Sequence, residues 1–313
     1  MKIYFDCNNI VPKGAVITLG NFDGFHRGHQ RILRETIAKA KIKGLPALVM
    51  TFNPHPRQFF GFSMPIITPM AQKLSLLKEA EANIVLIQPF TKAFAALSPS
   101  RFIEEILINA LGCQHVVVGY DYSFGKAGAG DTLALRELTG RHGIGCDIIQ
   151  PVRYGGEIVS SSGIREYLAQ GNVEKAALYM GRPFAIRGRV CSGAGRGKSL
   201  GFPTANIYPA PSVALPAFGV YLVSAATRGR RYWGVANLGC RPTFPGGNIS
   251  LEVFLFEFLG NLYGSLLEVT FFKQIRTERK FPDSASLSRQ LTLDVNLAKT
   301  LLAQDNMLKL QRI

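Results

Sequence analysis

The chain has 313 residues, of which 47% are hydrophobic, and its formal net charge at pH 7 is +15. This length suits two domains that each bury a core, and the lack of low-complexity tracts excludes a mainly disordered chain. No apolar run approaches the roughly 18 residues of a membrane-spanning helix, and residues Met1–Asn9 lack the apolar stretch of a signal peptide. We therefore expect a cytoplasmic protein with no membrane partner.

The cysteines and the basic residues exclude two further classes of protein. The five cysteines are scattered, and none forms a C-x-x-C pair, which argues against a disulfide framework or a structural zinc site. The positive charge is typical either of nucleic-acid binding or of a basic surface around sites for polyanionic small molecules. Its densest clusters are only Arg228–Arg231 and Arg276–Lys280, without a zinc-finger or RNP-like motif, so we expect no nucleic-acid partner.

In the first half of the chain, short apolar runs alternate with segments of helical period. This alternation predicts an α/β domain, with a parallel sheet that is covered by helices on both faces and binds ligands beyond the carboxyl ends of its strands. The predicted strands are Ala15–Leu19, Ala47–Phe52, Ile84–Gln88, His115–Gly119 and Asp147–Gln150. The predicted helices are His29–Lys43, Ala71–Glu81, Ser100–Leu111 and Thr132–His142.

The second half has a different rhythm, which begins after a predicted helical stretch at Gly163–Met180. Short strands separated by Gly and Pro predict an antiparallel β-barrel or sandwich. These strands are Ile186–Cys191, Gly219–Ala226, Trp233–Asn237, Ser250–Phe258 and Leu266–Phe272. A terminal helix is predicted over Ser284–Leu310. The change of rhythm near Gly181–Pro183 predicts two domains, residues 1–182 and 183–313.

The first candidate site is the turn Gly20–His29, which directly follows a predicted strand and opens a helix. Glycines allow a sharp turn and a close approach to a ligand, and the helix start offers N–H groups and a positive dipole end to a phosphate. His26 and His29 are three residues apart, so both can face one ligand and stabilise phosphate oxygens. Half of a metal site, or two surface histidines, remain alternatives because a glycine-rich turn alone is a weak signal.

The second candidate site combines a basic glycine-rich loop with two oxygen-bearing side chains. The loop suits an anion-binding nest, although an ordinary glycine hairpin is equally compatible. Its candidate phosphate-binding residues are Gly193, Gly195, Arg196, Gly197 and Lys198. Thr204 and Asn206 follow Pro203 and are two apart, so on an extended segment they share a face and offer the oxygen ligands that Mg²⁺ prefers.

Glu252 is the candidate general base of the second half. A strand period in Leu251–Phe258 puts it on one face with Phe254, Phe256 and Phe258. A carboxylate among aromatic side chains is costly to bury unless it is paired or protonated, and such surroundings suit a base. A glutamate at a strand end that reaches solvent or pairs with an arginine is the alternative.

Four strings of the first half resemble the FAD synthetase branch of the nucleotidylyltransferase superfamily. They are G-N-F-D-G-F-H-R-G-H from Gly20, T-F-N-P-H-P from Thr51, V-G-Y-D-Y-S-F-G from Val118 and S-S-S-G-I-R from Ser160. The resemblance implies a Rossmann-like domain in which His26 and His29 contact the ATP phosphates. It also implies triphosphate contacts from Ser161, Ser162 and Arg165, a flavin contact from Asp121, and ATP contacts along the turn from Gly20, Phe22, Asp23 and Gly28.

Four strings of the second half resemble riboflavin kinase. They are L-G-F-P-T-A-N from Leu200, G-V-A-N-L-G-C-R-P-T-F from Gly234, L-E-V from Leu251 and L-Y-G from Leu262. The resemblance implies that Thr204 and Asn206 coordinate the Mg²⁺–nucleotide and that Glu252 is the catalytic base. It also implies flavin contacts from Asn237 and Arg241.

Together the strings identify the chain as a member of the bacterial bifunctional riboflavin kinase/FAD synthetase family. This membership implies that riboflavin, FMN and ATP are substrates, that Mg²⁺ is required and that FMN and FAD are made in turn. The chain departs from the family at Ser162, where Thr is usual, and near Gly128, where an Arg is usual. The missing Arg leaves open an alternative in which only the kinase half is active. The sequence does not indicate an oligomeric state.

Overall fold

The computed structural model describes residues 1–8, 12–192, 201–227, 229–241 and 248–304, without the side chains of Arg241 and Asn248. The chain divides into two compact units, Met1–Ser161 and Ser162–Ile313. The functional boundary between residues 182 and 183 stays a prediction. Within the described ranges, every helix is either too short or too polar to cross a bilayer.

The first unit is built on a six-stranded, all-parallel sheet, as predicted for this half. Its strands are β1 (Lys2–Phe5), β2 (Ala15–Leu19), β3 (Ala47–Asn53), β4 (Ile84–Pro89), β5 (Cys113–Gly119) and β6 (Gly145–Ile149). Their order is β1-β4-β3-β2-β5-β6, so the last five follow the doubly wound, Rossmann-like order. Strand β1 was not predicted because its side chains are mostly exposed and give no apolar run.

Helices cover both faces of this sheet. They are α1 (Arg27–Lys43), α2 (Pro56–Phe59), α3 (Met70–Glu79), α4 (Lys92–Ala95), α5 (Pro99–Arg101) and α6 (Thr132–Gly140). The helix predicted at Ser100–Leu111 is mostly a π-helix, Phe102–Ala110, which continues α5. A 3₁₀ turn at Lys126–Gly128 and a hairpin of β7 (Arg153–Tyr154) and β8 (Glu157–Ile158) complete the unit.

The second unit is an antiparallel barrel, also as predicted. Its strand order is β10-β13-β12-β11-β14-β9, and a bridge between Cys191 and Asn206 joins the two ends of this sheet. The strands are β9 (Phe184–Arg189), β10 (Ala205–Ile207), β11 (Gly219–Thr227), β12 (Arg230–Arg241), β13 (Asn248–Leu255) and β14 (Leu266–Thr277). The helices are α7 (Ser161–Ala169), α8 (Val173–Met180) and α9 (Ser284–Ala303).

Two predictions for this half need correction. The helical stretch predicted at Gly163–Met180 consists of two helices, because Gly171 has a φ of 76° and Asn172 caps the second one. The strand predicted at Ser250–Phe258 ends at Leu255, because Glu257 has a positive φ of 57° and turns the chain. The predicted end of the last helix, Leu310, lies outside the described residues.

A buried ion pair fixes the terminal helix to the barrel. Asp294 of α9 is 2% exposed, and Arg276 of β14 donates to its carboxylate from Nε at 3.0 and 3.1 Å and from Nη2 at 2.9 Å. Gln290 donates to the same carboxylate at 2.7 Å. Such a bidentate pair is strong and geometrically specific, so it sets the position of α9 on the barrel.

Replacing Asp294 with Ala should destabilise the second unit by about 3 kcal/mol, because removing one partner leaves a largely buried guanidinium without its countercharge. Trp233, the one tryptophan of the chain, packs against Phe272 at a centroid distance of 4.8 Å, so its fluorescence reports on this unit during urea unfolding. Glu137→Ala, which breaks an exposed pair with Arg141, is the control and should not change this transition. An unchanged midpoint for Asp294→Ala would show that the pair does not hold the helix.

Candidate active sites

The first candidate site is the turn between β2 and α1, at the carboxyl edge of the parallel sheet. Its residues Phe22 and Phe25 have positive φ values of 49° and 38°, in the left-handed region that side chains rarely adopt. Both rings are buried, at 1% and 3% exposure, in one cluster with residues of α1 and α3. Gly20 makes room for this arrangement, since a Cβ there would lie 3.3 Å from the Phe22 ring. Core packing therefore holds a strained turn in place.

His26 caps the helix that follows this turn. Its Nδ1 accepts a hydrogen bond from the backbone N–H of His29 at 3.3 Å. A ring nitrogen that accepts carries no proton, so the neutral His26 ring holds its proton on Nε2. The His26 and His29 rings are stacked, with centroids 3.6 Å apart and planes 20° apart. The structure thus brings the two predicted histidines together at the positive end of α1.

Gly28 is required by the position of the His26 ring. A Cβ at residue 28 would lie 3.0 Å from both Cε1 and Nδ1 of His26, closer than ordinary van der Waals contact. The glycine of the H-x-G-H string therefore allows the first histidine to cap the helix.

Asp23 and Ser161 tie the turn to its surroundings. Asp23 is 2% exposed, and its carboxylate accepts hydrogen bonds from the N–H of Ile67 at 3.0 Å and of Thr68 at 2.9 Å. Its carbonyl oxygen accepts a hydrogen bond from the Ser161 hydroxyl at 2.8 Å. Ser161 is therefore hydrogen-bonded to the backbone of the turn. Ser162 and Arg165 follow on α7, in the second compact unit, and their phosphate contacts stay predictions.

Lys73 is a polar residue of this region that the sequence motifs did not indicate. It is 5% exposed, and its Nζ donates to the carbonyl oxygen of Asn21 at 2.6 Å. Burial lowers the pKa of Lys73 to about 8, although the nearby Asp23 opposes this shift. The sequence could have indicated this burial, because Lys73 lies one helical turn before the buried Leu77 and therefore on the inner face of α3.

The end of β5, next to β2 in the sheet, carries the predicted flavin contact Asp121. This residue is exposed, and a Cβ at Gly119 would lie 3.2 Å from its Oδ1. The following loop packs closely, because a Cβ at Gly130 would lie 2.6 Å from the Phe124 ring. Gly128, near which the family usually has an Arg, is exposed. The departure from the family therefore lies on the surface of this loop.

The second candidate site is a row of polar residues across three neighbouring strands. Asn206 of β10 lies directly opposite Glu252 of β13, and Glu252 lies directly opposite Asn237 of β12. Opposed residues of antiparallel strands share a face, with Cβ atoms about 4.5–5.5 Å apart. The proposed metal ligand, base and flavin contact, which were predicted from separate strings, therefore stand side by side. Thr204 precedes β10, and its carbonyl accepts a hydrogen bond from Asn206 Nδ2 at 3.4 Å.

Aromatic side chains border this row on one side. Phe254 is two residues beyond Glu252 on the same strand face, and Phe202 packs edge-on against it at a centroid distance of 5.4 Å. Phe256 contacts Phe254 at 6.0 Å from the turn after β13. The prediction that Phe258 shares this strand face is wrong, because the strand has ended and Phe258 packs against Tyr232 instead. Glu252 itself is partly buried.

A second carboxylate, which no motif indicated, comes close to the row. Gly239 follows Asn237 on the same face of β12, and a Cβ there would overlap the Oε1 atom of Glu278 and lie 3.6 Å from Asn237 Nδ2. Gly239 therefore makes room for the Glu278 side chain beside Asn237.

Some predicted residues of the second site lie outside the described part of the chain. The loop residues Gly193, Gly195, Arg196, Gly197 and Lys198 lie outside the described residues, and so does the side chain of Arg241. Across the described ranges, no three His, Cys, Asp or Glu side chains form a group that could hold a metal ion. The predicted Mg²⁺ site does not need such a group, because its ligands are a hydroxyl and an amide oxygen beside one carboxylate.

Known proteins resemble this chain over nearly its whole length. The family model described as FAD synthetase matches residues 9–163, and the one described as riboflavin kinase matches residues 180–302. A bifunctional riboflavin kinase/FMN adenylyltransferase of Bacillus subtilis (strain 168) is 37% identical over 287 residues, 90% of each chain. The enzyme of the same name from Pseudomonas fluorescens is 37% identical over 307 residues, 97% of this chain and 98% of its own.

One solved structure has the same fold over both halves. A crystal structure named as a macrolide-efflux protein from Streptococcus pneumoniae superposes with a TM-score of 0.88 at 30% identity. The superposition covers 96% of this chain and 99% of that one.

Proposed function

Because this chain belongs to the family of bifunctional riboflavin kinase/FMN adenylyltransferases, we propose that it converts riboflavin to FMN in its second unit and FMN to FAD in its first, with ATP as the co-substrate of both reactions. Matches to both family models favour two activities over the alternative of a kinase alone. The main observation that supports this proposal is that each unit has its own polar site, a histidine turn in one and an Asn–Glu–Asn row in the other.

In the second unit, Glu252 accepts the proton of the terminal ribityl hydroxyl of riboflavin. The oxygen then attacks the γ-phosphorus of ATP, the bond to the β-phosphate oxygen breaks and ADP leaves. The strand register supports this assignment, because it puts Glu252 between Asn206 on the nucleotide side and Asn237 on the flavin side. Arg241, four residues after Asn237 on the same strand, is the further flavin contact that we propose.

The donor set beside Glu252 fits Mg²⁺. The Thr204 hydroxyl and the Asn206 amide oxygen are hard, neutral ligands, and Mg²⁺ takes its other ligands from phosphates and water. Asn206 is 5% exposed and opposite a carboxylate, so its side chain is held in position beside an anion. We propose that Thr204 and Asn206 hold Mg²⁺, which when bound would neutralise charge on the transferred phosphoryl group.

In the first unit, a phosphate oxygen of FMN attacks the α-phosphorus of ATP, and pyrophosphate leaves as FAD forms. The attacking group is already an anion, so no strong base is needed, and the protein contributes by positioning and charge stabilisation. His26, whose proton is directed to Nε2 by its capping bond, and His29 are the proposed donors to the phosphates. Ser162 and Arg165 are proposed to bind the triphosphate as well.

The cytoplasm is the proposed location. The five cysteines are scattered along the chain without a C-x-x-C pair, a pattern that suits a reducing compartment. Fluorescence imaging of the tagged full-length chain tests this proposal.

Two substitutions should separate the two activities. His29→Ala should lower FAD formation by about 100-fold or more while FMN still accumulates, and Glu252→Gln should do the reverse when FMN is supplied, because each removes a group from one reaction only. The measurement incubates purified protein with ATP, Mg²⁺ and riboflavin or FMN, and separates the flavins by chromatography. If either folded variant lost both activities, the assignment to two sites would fail.

Matched controls change the same residue types elsewhere. His142 is exposed after α6, at the opposite edge of the sheet from the histidine turn, and Glu257 is exposed after β13. His142→Ala and Glu257→Gln should leave both activities within about twofold of wild type, as surface substitutions usually do.

The space around Gly28 gives an independent test of the first site. Gly28→Ala should displace the His26 ring and lower FAD formation by about tenfold or more, because small errors of position are costly in catalysis. Gly140→Ala is the control, because this helical glycine has no atom within 4 Å of the added Cβ, and it should leave FAD formation unchanged. FMN formation should not change in either variant. Normal FAD formation by a folded Gly28→Ala protein would contradict the required position of His26.

A further inference from the structure

Lys73 is a buried lysine directly behind the histidine turn. Lysine is almost never fully buried unless it is paired, yet Lys73 is only 5% exposed. Its Nζ lies 2.6 Å from the carbonyl oxygen of Asn21 and 3.5 Å from the hydroxyl of Thr51. Asn21 is the second residue of the turn, and Thr51 is near the carboxyl end of β3, the strand next to β2. The ammonium group therefore lies at the sheet edge where the ligand site is proposed.

The hydrogen bond from Lys73 sets the direction of one peptide group. The Thr51 hydroxyl also donates to the Asn21 carbonyl oxygen, at 3.3 Å, so two donors draw this oxygen inward. In a trans peptide, the carbonyl of one residue and the N–H of the next point in opposite directions. The N–H of Phe22 therefore points away from Lys73. Backbone N–H groups in the turn before a helix are typical phosphate donors.

The charge of Lys73 is only partly balanced by the described part of the protein. The carboxylate of Asp23 attracts it, but the Asp23 oxygens accept hydrogen bonds from Ile67 and Thr68. Within the described residues, no carboxylate forms an ion pair with Lys73. Burying such a charge is costly, which is consistent with the lowered pKa of about 8. An anionic ligand at the turn would offset this cost.

We propose that Lys73 is a positioning residue for the triphosphate of ATP in the first unit. It holds the Asn21 carbonyl inward, so that the Phe22 N–H faces the phosphates, and it adds a positive charge behind the turn. This proposal rests on the proposed adenylyl transfer to FMN at this site.

The test compares Lys73→Met with Lys78→Met in the full chain. Lys78 lies on the same helix and is exposed, so its loss should change nothing. Lys73→Met should raise the KM for ATP in FAD formation by about tenfold or more, since hydrogen bonds from charged groups are strong. The KM for FMN should change little, and FMN formation in the same protein should be unchanged. A lysine that only stabilised the fold would not raise the KM for ATP selectively.

A second variant addresses charge directly. In wild type, the KM for ATP in FAD formation should rise between pH 7 and pH 9, because Lys73 loses its proton near pH 8. The other charged group that acts on Lys73 is the carboxylate of Asp23. Lys73→Arg keeps its charge and should lose this rise relative to wild type, which also decides the matter if the Met variant does not fold.

The possible results are distinguishable. An unchanged KM for ATP in folded Lys73→Met, or the same pH dependence in Lys73→Arg and wild type, would overturn the role of Lys73 while FAD formation by wild type upholds the proposed function. No FAD from wild type would overturn both.

Discussion

Buried contacts hold the turn between β2 and α1 in one conformation, and the proposed adenylyl transfer depends on this constraint. Phe22 and Phe25 keep left-handed backbone angles because their rings are packed in the core. Asp23 is bound by backbone N–H groups, and His26 caps the helix while stacking on His29. Because these contacts are made within the protein, a triphosphate would meet an ordered site and would not have to offset the entropy of ordering a loop. The two histidines are therefore held in position by a larger set of buried contacts.

In the second unit, strand register positions the site residues before a ligand binds. Asn206, Glu252 and Asn237 share one face because β10, β13 and β12 pair without a register shift between them. A slip of one residue on β13 would turn Glu252 toward the barrel interior, where Leu251 and Val253 now lie buried. The terminal helix packs on the same face through residues such as Val295 and Ala298, which contact a cluster that includes Phe254. A single sheet face thus carries both the polar row and the contacts that hold the helix.

Sequence patterns predicted both folds and most of the proposed site residues, because apolar periodicity and long motifs are local signals. The sequence patterns failed where contacts between distant parts of the chain determine the structure. The helical stretch predicted over Gly163–Met180 is interrupted at Gly171, where a Cβ would overlap the distant Gln274. Lys73 and Glu278 approach their sites only through the folded chain, from positions outside the motifs. Likewise, spacing could place Asn206 and Glu252 on strands, but only the pairing of β10 with β13 makes them neighbours.

The central claim is that one chain contains two separate triphosphate sites, one at the histidine turn and one beside Glu252. A crystal structure of the full chain with Mg²⁺, riboflavin and a non-hydrolysable ATP analogue tests this claim most directly. The account predicts one triphosphate against His26 and His29, and a second beside Asn206 with the ribityl hydroxyl facing Glu252. Triphosphate density at only one of these places, or at neither, under saturating ligand would contradict it.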